Sequence, residues 1–136
     1  MKRTEIITNN RDKIIAEMVS CYREVLDSNG KIQYKIHIWE DGKIETLESF
    51  QGDNTWLQAK SGEPRSLFYV ATISSPFFYA FDYTDEPEPE DEDEKEKARQ
   101  EIIDYLVGEY EREGAQNTLD AIMEEAKMDE ELEEYR

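Results

Sequence analysis

Two side chains in this sequence have the chemistry of a nucleophile or a general base, Cys21 and His37, and there is one residue of each kind. A cysteine nucleophile needs a base such as histidine within hydrogen-bond reach. Cys21 falls in a predicted helix beside an apolar stripe, where a free cysteine is usually a small buried hydrophobe. His37 alternates with isoleucines on a predicted strand, which is typical of a residue on a sheet face. We therefore expect neither residue to be catalytic.

Carboxylates offer a second kind of chemistry, because two paired acids can act as general acid and general base. The chain has 34 aspartates and glutamates, so a pair can be chosen almost anywhere and the choice carries no information. The sequence contains no Gly-x-Ser-x-Gly motif, no phosphate-binding glycine loop and no His-Glu-x-x-His motif. We expect a protein that is not an enzyme and that holds no cofactor.

Carboxylates also bind hard cations, and an EF-hand loop is the motif to look for. It needs alternating acidic ligands, a glycine at the turn and a glutamate at position twelve. The sequences around Asp41-Gly42 and Gly52-Asp53-Asn54 lack that spacing, and the acidic run at 85–94 has no glycine to turn its ligands inward. A single cysteine cannot build a zinc site. We predict no dedicated metal site.

The charge is distributed unevenly along the chain. Residues 1–84 contain 12 acidic and 10 basic side chains, whereas residues 85–136 contain 22 acidic and 6 basic ones, for a net charge of −18. Such a surface repels nucleic acid and anionic membranes and attracts basic proteins. No apolar run approaches the ~20 residues of a membrane span, and the first residues contain no apolar signal-peptide core. We expect a cytoplasmic protein whose partner is basic.

The basic residues near the start of the chain are too few and too scattered to bind phosphates. We expect them to pair with acids on the first helix. They are Lys2, Arg3, Arg11, Lys13 and Arg23.

Helical and alternating apolar patterns define the first half of the chain. Residues Arg11–Asp27 have a helical stripe, with Asn10 as the expected N-cap and Asn29-Gly30 as the stop signal. Residues 32–39 alternate as a strand, and Asp41-Gly42 predicts a two-residue type I′ turn. Residues 43–50 return as a weaker strand, which suits a sheet edge or a bulge.

The middle of the chain combines a long connection with two apolar segments. Residues 51–66 are expected to form a loop. Residues 67–74 are apolar on both sides, which is typical of a central strand. The aromatic segment 77–83 is expected to be a fourth strand or a packed loop, with Phe77, Phe78 and Phe81 in the core.

The last third is predicted to be helical and acidic. A helix should begin near residues 91–93, because acidic residues favour the positive end of its dipole. Glu113-Gly114 is expected to end it, and Asn117 to cap a second helix. The predicted apolar stripe of the first of these helices comprises Ala98, Ile102, Tyr105, Leu106 and Tyr110, with Ile103 and Val107 beside it.

The fold class that follows is α+β, with an N-terminal helix, a three- to four-stranded antiparallel sheet and a C-terminal acidic helical hairpin. We divide the chain into a core at 1–84, an acidic connector with two prolines at 85–94, and the hairpin at 95–136. We expect the hairpin to pack on the same domain as the core.

A dense row of carboxylates can imitate nucleic acid. Duplex DNA has one charge per ~1.7 Å of axis, and a helix that rises 1.5 Å per residue is expected to place carboxylates at a comparable density. Aromatic side chains beside the charge would add specificity, for which we single out Trp56 and Tyr83. The predicted acidic contacts are Asp85, Glu86, Glu88, Glu90, Asp91, Glu92, Asp93, Glu94, Glu101, Asp104, Glu109, Glu124 and Glu125.

In its acidity the chain resembles the small anti-restriction and anti-CRISPR proteins with which phages and mobile elements block host nucleases. The resemblance is one of composition and covers mainly residues 85–136. It implies a non-enzymatic inhibitor that occupies a basic nucleic-acid-binding groove and does not bind nucleic acid itself. An immunity or antitoxin-like protein that caps a basic toxin would use the same physics. A third alternative is an assembly protein that oligomerises through the helical hairpin.

Overall fold

Two helices begin the fold, and the first of them was not predicted. The computed structural model describes residues 2–51, 67–75 and 78–134. Helix α1 (Arg3–Asn9) is followed by helix α2 (Arg11–Asp27), whose bounds match the predicted helix. Seven residues are too few to show a helical period in the sequence. α1 nevertheless buries Ile6 and Ile7 in the core, so packing rather than propensity stabilises it.

The ends of α2 follow the predicted signals in part. Asn10 occupies the N-cap position, but its side chain does not cap α2 and donates instead to the carbonyl of Ile6 at 2.8 Å. At the other end Asn29 and Gly30 both have positive φ, 60° and 78°, and the Gly30 N–H donates to the Val25 carbonyl. This left-handed pair stops the helix as expected.

Strands β1 (Ile32–Trp39) and β2 (Ile44–Phe50) form the predicted antiparallel hairpin, and β2 lies at a sheet edge as the sequence suggested. The type I′ turn is wrong. A type I′ turn needs positive φ at both central residues, and of Asp41 and Gly42 only the glycine has it, at 88°. The Gly42 N–H donates to the Trp39 carbonyl, and the Trp39 N–H donates to the Lys43 carbonyl. The connection is therefore a three-residue loop with a glycine bulge.

The third strand, β3 (Leu67–Ile73), was predicted to be central and is at an edge. The sheet order is β2-β1-β3, so β1 is the central strand and pairs antiparallel with both neighbours. The prediction failed because β3 buries Val70, Ala71 and Ile73 on the helix side, while Thr72 is exposed. Val70, Ala71 and Ile73 belong to the core cluster that the helices share, so their burial does not require a neighbouring strand on each side.

The aromatic segment forms a packed loop, which was one of the two expected outcomes. Residues Ala80–Tyr83 make a single 3-10 turn, and Phe78 is buried at 2% exposure. Phe81 is half-buried. Phe77 lies outside the described residues, as do Trp56 and the rest of residues 52–66 of the predicted loop.

The predicted C-terminal hairpin is absent, and a single long helix occupies residues 92–134. It consists of α3 (Glu92–Glu109), a π-helical turn (Tyr110–Gly114) and α4 (Ala115–Glu134). The residues that join these segments, Tyr110 and Ala115, have right-handed helical φ and ψ. We call this unit the long helix. Its start is as predicted, with Asp91 as N-cap.

The long helix packs antiparallel against α1 and α2. Arg23, near the end of α2, meets Asp104, whereas Arg11 at its start meets Asp120, and Thr4 of α1 meets Glu130. α2 and α4 contact the same sheet, so the helices form a layer on one sheet face. Ala115 and Leu119 are fully buried within the core cluster that contains the sheet residues Tyr34, Ile36 and Ile38. The α+β class is confirmed.

Candidate functional site

The acidic connector joins the 3-10 turn to the start of the long helix, with bends at residues 85–86 and 90–91. One of its carboxylates is held in place, because Glu88 accepts hydrogen bonds from the Tyr79 hydroxyl and from Lys95, the latter at 2.7 Å. These hydrogen bonds, the one from Lys95 foremost, lower the pKa of the Glu88 carboxyl. Asp91 is held as well, since it accepts from the Asp93 N–H at 3.2 Å. The connector is thus attached to α3 at both Glu88 and Asp91.

The remaining carboxylates of the connector face solvent. None of them forms an ion pair or a hydrogen bond through its side chain with any residue in the described ranges. They are Asp85, Glu86, Glu90, Glu92, Asp93 and Glu94.

Three arginines of the first two helices pair with the long helix, which for these residues corrects the expectation that they pair with acids on the first helix. Arg23 meets Asp104 at 2.6 Å, Arg11 meets Asp120 at 2.8 Å, and Arg3 meets Asp129 at 3.7 Å. Exposed pairs of this kind contribute about 1 kcal/mol or less each. Their effect on the charge pattern is larger, because they neutralise carboxylates along the flank that faces α1 and α2.

Charge therefore accumulates at the two ends of the long helix. Residues 85–96 carry nine carboxylates and one lysine, and residues 124–134 carry seven carboxylates and one lysine. We call these the connector pole and the C-terminal pole. Residues 97–123 between them carry six carboxylates and three basic side chains. The rise of the helix separates the two poles by about 50 Å.

The expected DNA-like charge density is not reached. The long helix has 17 carboxylates, which over its length of about 65 Å gives one per ~4 Å, compared with one charge per ~1.7 Å in duplex DNA. The predicted acidic contacts also divide into two groups. Asp104, Glu109 and Glu124 are engaged in ion pairs with Arg23, Arg112 and Lys127. Glu101 and Glu125 are exposed and have no ion pair with a described residue.

Tyr83 and Glu101 both line one groove. The fold therefore brings together an aromatic and an acidic residue that are distant in the sequence. The groove has a volume of about 310 Å³ and runs between the connector and α3. We call it the aromatic groove. Its lining comprises Phe81, Tyr83, Thr84, Glu86, Pro87, Pro89, Ala98, Glu101, Ile102 and Tyr105.

Tyr105 is the residue of this groove that the sequence analysis missed. It was assigned to the buried stripe of α3, but the structure buries Ile103 and Val107 and leaves Tyr105 64% exposed. The sequence contained a signal for this exposure, because Tyr105 lies one helical turn after the solvent-facing Glu101 and shares its side of the helix. Tyr83 is exposed to a similar extent, 62%, as expected, and Tyr79 to 37%.

The residues first considered for chemistry have ordinary surroundings. Cys21 is buried at 4% exposure, and burial, together with the charge of Glu17, raises the pKa of its thiol to about 12. Burial also lowers the pKa of His37 on β1. Among the described residues no group of three or more His, Cys, Asp or Glu side chains has the arrangement to hold a metal ion. None of the helices in those ranges combines the length and the apolar character that a membrane crossing requires.

Comparison with known proteins gives no relative from which a function could be transferred. No protein-family model, no curated protein and no solved structure matches this chain.

Proposed function

We propose that the protein acts without catalysis in the cytoplasm, as an acidic inhibitor that binds the basic nucleic-acid-binding groove of a nuclease or defence effector. The observation that supports this is a set of carboxylates at the two poles that are exposed and form no ion pair with a residue in the described ranges. Arg11 and Arg23 neutralise carboxylates in the middle of the long helix. Arg3 pairs with Asp129, one of the seven carboxylates of the C-terminal pole, so both poles keep most of their charge. Grooves that hold phosphates are lined with lysine and arginine, and opposite charge attracts them over long range.

The dimensions of the long helix suit such a groove. A groove that binds about 15 base pairs of DNA is about 50 Å long, which is the separation of the two poles. The protein would therefore contact the ends of the groove most strongly and block its middle by steric exclusion. This is a coarser imitation of DNA than a uniform row of phosphates.

Neutralising each pole separately tests the proposal. One variant carries Asp85→Asn, Glu86→Gln and Glu90→Gln, and a second carries Glu125→Gln, Glu131→Gln and Glu133→Gln. The matched control carries Asp12→Asn, Glu40→Gln and Glu48→Gln, which changes the net charge equally at exposed positions away from both poles. Inhibition of DNA cleavage is measured against a panel of purified restriction endonucleases and RNA-guided nucleases between 50 and 300 mM salt.

We expect inhibition of one panel member that weakens steeply with salt, falls at least about 10-fold in each pole variant and persists in the control. Inhibition that survives both pole variants would contradict the proposal. Neutralisation of a basic toxin, with no effect on nucleases, would favour the immunity alternative. An oligomer that persists at 1 M salt would favour the assembly alternative, because an apolar interface survives screening.

A further inference from the structure

The aromatic groove is already formed in the isolated chain. Glu88, held by Tyr79 and Lys95, fixes the middle of the connector against α3, and Asp91 fixes its end as the helix cap. Pro87 and Pro89, on either side of Glu88, restrict the backbone of the connector. The occupant of this groove would therefore not have to order the connector on binding, which removes one cost of association.

Two tyrosine rings that are mostly exposed border the groove. Tyr83 packs on the buried Phe78, with ring centroids 5.5 Å apart, so its position is supported from beneath. Tyr105 stands on α3, 64% exposed, on the other side of the groove. A ring face is electron-rich and attracts a cation that lies over it.

The carboxylates of the groove select the charge of its occupant. Glu86 on the connector and Glu101 on α3 line the groove from opposite sides, and neither forms an ion pair with a described residue. We propose that the aromatic groove binds an arginine side chain from the basic surface of the partner, an inference that rests on the proposed function. The guanidinium stacks on Tyr83 or Tyr105 and pairs with Glu86 or Glu101, and its apolar stem lies on Pro87, Pro89 and Ile102.

Arginine suits this groove better than other cations. Its planar guanidinium stacks on aromatic faces and offers several donors to carboxylates, whereas the lysine ammonium is compact and strongly hydrated. A metal ion lacks ligands here, because the described residues bring together no group of three or more carboxylates, cysteines or histidines suited to one. The groove of about 310 Å³ lies at the small end of ligand sites and has room for one long side chain.

Peptides of equal charge test the inference without knowledge of the partner. The probes are acetyl-Gly-Arg-Gly-Arg-Gly-amide and its lysine counterpart, titrated into the ¹⁵N-labelled full chain at 150 mM NaCl and followed by two-dimensional NMR. We expect the arginine peptide to shift residues 81–89 and 98–105 most, and to bind about 2- to 5-fold more tightly than the lysine peptide. The double variant Tyr83→Ser/Tyr105→Ser should abolish the preference, and Met128→Ser, equally exposed at the C-terminal pole, should preserve it.

Equal affinity for the two peptides would overturn the inference, as would shifts that are largest at residues 124–134. A preference for arginine that survives in the double variant would overturn it as well. No nuclease takes part in this measurement, so failure of the inhibitor proposal leaves its result unchanged. Conversely, an equal affinity removes the groove inference while nuclease inhibition through the two poles stands.

Discussion

Gly114 was predicted to end a helix, but in the structure it makes room for a neighbouring ring. Its pairing with Glu113 predicted a helix stop, yet the chain continues through it as helix. The glycine is needed for space, because a Cβ at this position would lie 2.6 Å from Cδ2 of Tyr110. The Tyr110 ring in turn stacks on Tyr22 of α2, with centroids 4.1 Å apart and planes 18° apart. The π-helical turn, which inserts an extra residue into the helical repeat, brings these rings together.

Substitution of the two glycines of the long helix should therefore have opposite effects. Gly114→Ala should destabilise the protein by about 1–3 kcal/mol, since the new methyl group displaces the Tyr110 ring. Gly108→Ala is the matched control, because its Cβ would meet nothing closer than Nη1 of Arg112 at 3.9 Å. It should be neutral or stabilise the helix by up to ~1 kcal/mol. Urea unfolding measures both, and equal losses of stability would contradict this account.

Cys21 should be chemically inert in the folded protein. The thiolate is the reactive form, and a pKa raised to about 12 by burial and by the neighbouring Glu17 keeps the thiol protonated. We expect modification by a disulfide reagent at pH 8 to be about 100-fold or more slower than for an unfolded chain. The measurement compares the rate before and after addition of urea. Rapid modification of the native protein would show that the helix opens readily.

At the scale of elements, Glu88 determines how firmly the connector is held. Its pKa is lowered in the fold from an ordinary value of 4.5 by the hydrogen bonds from Lys95 and Tyr79. A lowered pKa means that the attachment is at full strength above about pH 4.5 and is lost as the pH falls through the folded value. Amide hydrogen exchange of residues 84–91 should therefore accelerate on acidification, relative to the intrinsic rate.

Glu88→Gln should produce the same acceleration at pH 7. Glu90→Gln is the control, since Glu90 belongs to the same connector, is exposed and pairs with no described residue. Protection that is unchanged in Glu88→Gln would mean that the prolines and the Asp91 cap hold the connector without the ionic contact.

The elements that could be predicted are those in which the spacing of the apolar residues fits only one buried face. α2 and β1 each bury one continuous face, and the bounds of α2 and of the β1–β2 hairpin agree with the sequence patterns. On α3 the residues Ala98, Ile102 and Tyr105 overlap a second stripe through Ile103 and Val107. The position of α2 decides which stripe is buried, and that position is a tertiary property. The aromatic groove depends on the same choice, so Tyr105 could not be assigned to it from sequence.

At the scale of the whole molecule, the charge opposes folding. With a net charge of −18, repulsion between carboxylates destabilises the compact state. Several of the ion pairs join exposed side chains, and such pairs contribute about 1 kcal/mol or less each. Salt should therefore stabilise this protein. We expect the Tm to rise by several degrees as NaCl increases from 10 to 200 mM, a range in which the Debye length falls from about 30 Å to below 8 Å.

The variant that carries Glu125→Gln, Glu131→Gln and Glu133→Gln should show a smaller rise, because part of the repulsion has been removed. Thermal unfolding followed by circular dichroism at several salt concentrations provides the measurement. A Tm that falls with salt would mean that the arginine pairs outweigh the repulsion between carboxylates.

Under the proposed function, the continuous helix also determines how many basic partners one copy can hold. At physiological ionic strength a charge is felt over about 8 Å, so the connector pole and the C-terminal pole, about 50 Å apart, act independently. A basic protein with a short binding surface can cover one pole and leave the other vacant for a second copy. The two poles of one long helix can also cross-link an oligomeric target. The avidity then depends on how well the distance between the poles matches the spacing of the binding surfaces on the target. Stoichiometry, measured by native mass spectrometry, would then depend on the size of the target.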